Sequence, residues 1–91
     1  MFAEKLVTRS YVMKEDGTGY TLKYYLLSTP QDNFVIYGVA IEKHEGIVIE
    51  SQAAEMVSKD EEYVLGLIEC FASNFVFPIA LFEHIHDMQK V

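Results

Sequence analysis

The densest set of chemically capable side chains is Glu83-His84-Ile85-His86-Asp87, four possible metal ligands within five positions, with His44 elsewhere in the chain. Helical residues that share a metal ion are spaced three or four apart. His84 and His86 are two apart and diverge by roughly 160° on a helix. Glu83 shares a face with His86 or Asp87, yet neither pair completes a site without another element or subunit. The spacing therefore predicts His84 and His86 as surface groups of an amphipathic helix, with no bound metal or other cofactor. The single Cys70 lies toward the C-terminal end of a predicted helix, where the partial negative charge disfavours a thiolate, so a packed thiol is expected rather than a nucleophile. His44 as a base for Cys70 is outweighed by the tight turn that His44-Glu45-Gly46 forms. Six tyrosines and six phenylalanines offer another chemistry. Tyr24 and Tyr25 together with Tyr37 suit the wall of an apolar ligand pocket or a partner surface, which makes Tyr25, Tyr37 and His44 the candidate ligand-binding residues. Gly17-Thr18-Gly19 precedes a strand rather than a helix and so lacks the setting of a phosphate-cradling loop.

Those residues need elements to position them. Lys5 to Met13 is rich in β-branched and aromatic residues and is followed by a polar, glycine-bearing turn, which reads as a strand entering a hairpin. Tyr20 to Leu27 alternates, with Tyr20, Leu22, Tyr24 and Leu26 on the cleaner apolar face. Pro30 with Asp32 and Asn33 breaks the pattern before a third strand from Phe34 to Lys43 that is apolar on both faces. His44-Glu45-Gly46 closes a hairpin into a fourth strand that begins Ile47-Val48-Ile49-Glu50. Ser58 with an acid three residues later predicts the start of a helix from Lys59 to about Asn74, its stripe being Tyr63, Val64, Leu67, Ile68, Phe71 and Phe75. Asn74 serves as the C-cap, Pro78 bars continuation, and Leu81, Phe82, Ile85 and Met88 mark a second, shorter helix. The expected fold is a single α+β domain over residues 1–91: a four-stranded antiparallel meander followed by two C-terminal helices packed on one face of the sheet.

Ninety-one residues with 51% apolar content can bury a core without disulfides or metal. Fourteen acids against seven bases give a net charge of −7, and the lysines are scattered, which argues against nucleic acid and anionic membrane surfaces as partners. No apolar run approaches the roughly 20 residues that span a bilayer, and Met1-Phe2-Ala3-Glu4-Lys5 lacks the basic start and apolar run of a leader. A lone cysteine is compatible with a reducing compartment, so a cytoplasmic protein is expected.

The fragments Leu22-Lys23-Tyr24-Tyr25-Leu26-Leu27, Tyr37-Gly38-Val39-Ala40-Ile41-Glu42-Lys43 and Asn74-Phe75-Val76-Phe77-Pro78-Ile79-Ala80-Leu81 resemble a small family of uncharacterised bacterial proteins of about this length. That resemblance implies a bacterial, single-domain, cytoplasmic protein. It transfers no activity and no site residue.

With no catalytic constellation in view, the sequence reads as a non-enzymatic, self-associating interaction domain that docks a second copy or another protein. The alternative is a small-molecule binder or minor enzyme with an aromatic pocket between sheet and helices. Self-association follows from coverage. Two helices side by side cover one face of four strands. Either Val35, Tyr37, Val39 and Ile41 or Phe34, Ile36, Gly38 and Ala40 then meet water unless a homodimer shields them, the alternative cover being the second helix or the N-terminal residues wrapped around that face.

Overall fold

The computed structural model describes residues 3–88; Met1, Phe2, Gln89, Lys90 and Val91, and with them any reading of the extreme N-terminus, lie outside the described residues. Four strands, β1 (Ala3–Met13), β2 (Gly19–Pro30), β3 (Val35–Glu45) and β4 (Val48–Ser58), form one antiparallel sheet in the order of the chain. Helix α1 (Glu61–Ser73), a single 3-10 turn (Pro78–Ala80) and helix α2 (Leu81–Met88) follow and contact the sheet. The expected meander with two helices after it is what forms. A smallest dimension of 18 Å leaves room for the sheet and one helical layer only.

The covered face is set by alternation. Leu22, Tyr24 and Leu26 of β2 lie beside Lys43, Ile41 and Val39 of β3, and this block meets Val64, Leu67, Ile68 and Phe71 of α1, with Val76, Leu81 and Ile85 sealing the end. Each fully buried aliphatic or aromatic side chain here stabilises by about 1.5–3 kcal/mol. Tyr24 is wholly buried, and its hydroxyl donates to the carbonyl of Val76 at 3.0 Å, tying the middle of the sheet to the chain beyond α1.

The start of α1 differs from the sequence expectation. The cap is Asp60, whose Oδ1 accepts from the Tyr63 N–H at 3.2 Å, while Ser58 is the last residue of β4 and its Oγ accepts from the Asp60 N–H at 3.0 Å. The strand runs far enough to use up Ser58, so capping passes to the next competent side chain. Asp60→Ala should therefore cost about 1 kcal/mol in urea unfolding, and Ser58→Ala distinctly less. Tyr63 and Phe75, expected in the buried stripe, are exposed.

The end of α1 is a Schellman closure: the Val76 N–H bonds the Phe71 carbonyl at 3.0 Å and the Phe75 N–H bonds the Ala72 carbonyl at 3.2 Å. Asn74 is the C-cap as expected, but the left-handed position after it is held by Phe75, with φ +52°. A bulky side chain at that φ is unusual, since glycine or asparagine ordinarily takes it.

Both sheet edges are interrupted. In β1 the register shifts between Leu6 and Thr8. Between the pairs Tyr37–Ser58 and Val39–Ala54, β4 holds three residues against the single Gly38 of β3. There the β4 backbone bends across Gly38, so that a Cβ at that position would lie 2.1 Å from the Ala54 carbonyl oxygen. Such irregularity also blunts an edge against pairing with other chains.

Candidate functional site

The face turned away from the helices carries the polar chemistry. Its residues follow from register: Tyr11, Thr21 and His44 lie in one row across the strands, Arg9, Lys23, Glu42 and Ser51 in the next, and Leu6, Tyr25, Ala40 and Ala53 in a third. Arg9, Tyr11, Thr21, Lys23 and His44 line an open depression of about 520 Å³ near the two hairpins. The interior between sheet and helices holds the packed core around Tyr24 and Phe71.

At the edge of this depression Glu42 organises two side chains. Its Oε1 accepts from the Tyr25 hydroxyl at 3.1 Å and lies 2.8 Å from His44 Nε2. A carboxylate only accepts, so His44 Nε2 carries a proton and donates it to Glu42. Burial first, and then the bond to Glu42, push the Tyr25 hydroxyl above its ordinary pKa. The arrangement orients the His44 imidazole beside the cations Arg9 and Lys23.

Of the three residues singled out from the sequence, the structure brings Tyr25 and His44 to this face and sets Tyr37 on the other. Tyr37 shares the parity of Val39 and Ile41 and packs half-buried against the core. Strand alternation alone separates Tyr37 from the site, and the sequence left open which of β3's two apolar faces the helices cover. Glu42, Arg9 and Lys23 went unnoticed as site residues. Their signal was the shared register of three neighbouring strands, visible only once the hairpins are paired.

The remaining candidates lie elsewhere. The His84 ring meets Phe71 edge-on at 5.9 Å between centroids, and His86 is exposed; no group of three or more metal-ligating side chains occurs among the described residues. Cys70 is half-buried, its carbonyl accepting from the Asn74 amide at 2.7 Å. No helix among the described residues is long and apolar enough to cross a membrane.

The hairpins that border the depression are fastened together. Lys14 pairs with Glu45, and Lys43 approaches the same carboxylate at 3.5 Å while its ammonium lies over the rings of Tyr20 and Phe77. The bond to Lys14 holds the Glu45 carboxyl below its usual range. This clasp fixes the end of the sheet on which Arg9, Lys23 and His44 are displayed.

No curated protein and no solved structure matches the chain. Over residues 3–91 it matches the family of unknown function DUF6514, and it belongs to that family.

Proposed function

We propose that the protein is a small, non-enzymatic interaction module of the bacterial cytoplasm that associates with a second copy of itself through the open face of its sheet. The observation that carries this reading is that the face left bare by the helices presents Leu6, Tyr11, Met13 and Ile49, all 43–68% exposed. Exposed apolar groups gathered on one face favour an interface, and two-fold pairs are the commonest closed assembly.

The test is mass in solution. Light scattering after size exclusion at about 20 µM should give twice the 10.4 kDa of one chain, and Leu6→Arg should return it to a single chain. A charge at Tyr37 would not report on this interface, because Tyr37 faces the helices. A 10.4 kDa mass for the unaltered protein ends the dimer reading. A small-molecule binder is the second reading, favoured by the basic depression on the same face.

A further inference from the structure

The geometry points to an oxyanion-binding site in the depression lined by Arg9, Tyr11, Thr21, Lys23 and His44, which takes a small molecule bearing a phosphate or a pair of carboxylates. Arg9 and Lys23 are directly opposite each other across β1 and β2. Like charges placed so are destabilising. The chain has fourteen acids to seven bases and so no shortage of carboxylates to relieve the pair. Yet among the described residues neither cation makes an ion pair. The one acid in their row is Glu42, opposite Lys23, and its Oε1 is turned to Tyr25 and His44.

Three lysines elsewhere in the fold are treated differently. Lys14 and Lys43 share Glu45, and Lys59 lies over the Phe34 ring at 4.3 Å. The row thus holds two cations to one carboxylate, and that carboxylate is turned to Tyr25 and His44, where a depression of about 520 Å³ opens. That size is within the range of small-molecule sites. The lining is rich in donors: the guanidinium fork of Arg9, the ammonium of Lys23, and the hydroxyls of Tyr11 and Thr21. A planar fork beside a point charge, with neutral donors around them, matches the oxygens of a phosphate or carboxylate. The Tyr11 ring, 64% exposed, supplies an apolar wall for the organic part of the ligand.

This site shares a face with the proposed self-association and does not depend on it, so affinity and mass are measured separately. The probes are inorganic phosphate, phenyl phosphate and succinate, titrated at low ionic strength and followed by calorimetry and amide NMR shifts. Saturable binding is expected, with shifts centred on Arg9, Thr21, Lys23 and His44. Phenyl phosphate should bind more tightly than inorganic phosphate, and a preference for succinate would assign the site to dicarboxylates. Lys23→Gln and Arg9→Gln should each weaken binding about 10-fold or more, the usual worth of a charge-assisted hydrogen bond. Arg9→Gln should also leave the ligand-free melting temperature unchanged or raise it, because it relieves the opposed cations; a merely structural arginine would lower it. Absence of saturable binding by all three probes, or binding that neither variant weakens, overturns the site. A dimer without anion binding refutes it as well, whereas a monomer that binds phosphate supports it while ending the dimer reading.

Discussion

Gly38→Ala is expected to destabilise the protein by about 3 kcal/mol or more, a large part of the roughly 5–15 kcal/mol that keeps a domain folded. The added methyl would lie 2.1 Å from the Ala54 carbonyl oxygen and 2.5 Å from that of Glu55. Both obstacles are backbone, fixed by the register of β4, so no side-chain rotation relieves them. To make room, β4 must lift from β3 along the stretch where Ala54 completes the core. The contrast is Gly66→Ala. In α1 a Cβ at Gly66 meets nothing within 4 Å, so the same substitution there should stabilise by about 1 kcal/mol through helix propensity. Urea unfolding of the two variants should therefore move in opposite directions from the parent. A mild loss for Gly38→Ala would mean that β4 does not bend over β3 at this point.

The second large effect concerns alkaline pH. Burial, and secondarily the charge of Tyr20, push the Tyr24 hydroxyl up to about 12 from an ordinary value of 10.0. The neutral phenol is the form the folded state accommodates. Its contribution is therefore complete below pH 10 and is lost as pH rises through the window from 10 to 12, because the unfolded chain ionises first. A rise of that size is worth at most about 2–3 kcal/mol. Chemical unfolding measured from about pH 8 to about pH 12 should show stability falling steeply in that window. Tyr24→Phe should lose about 1–2 kcal/mol at neutral pH by leaving the buried Val76 carbonyl without its donor, and should then fall less steeply on the alkaline side. Tyr25, also shifted upward, is present in both proteins, so the difference between the two curves isolates Tyr24. Parallel curves would place the Tyr24 hydroxyl in water.

What could be read from the sequence and what could not divides along physical lines. Alternation along Tyr20 to Leu27 identified the core face of β2, because a half-buried strand writes its environment with period two. The stripe from Val64 to Phe71 identified α1 for the same reason with period 3.6. Residues 51–57 were another matter. Ser51-Gln52-Ala53-Ala54-Glu55-Met56-Val57 has little intrinsic β preference, and it is strand because β3 supplies pairing partners from Val39 to Glu42 for Ser51 to Ala54 and Tyr37 picks the strand up again at Ser58. The cap moved from Ser58 to Asp60 as a consequence of that extension. The site was half legible. Tyr25 and His44 drew attention as residue types, but Glu42, which holds both, and the Arg9–Lys23 pair exist only as products of strand register.

Because every strand pairs with its immediate predecessor, the sheet can be assembled in the order in which the ribosome releases it. Closing each hairpin needs only a short loop, so little chain entropy stands between one strand and the next. The cover for that sheet, however, is encoded entirely after Ser58. During synthesis a nascent chain that has completed β3 presents Leu22, Tyr24, Leu26, Val39 and Ile41 to water until α1 emerges behind them. At roughly 5–20 residues per second, the stretch from Gly46 to Ser73 takes a few seconds to appear. That interval, rather than the finished fold, is when the apolar face of this sheet is most exposed to aggregation.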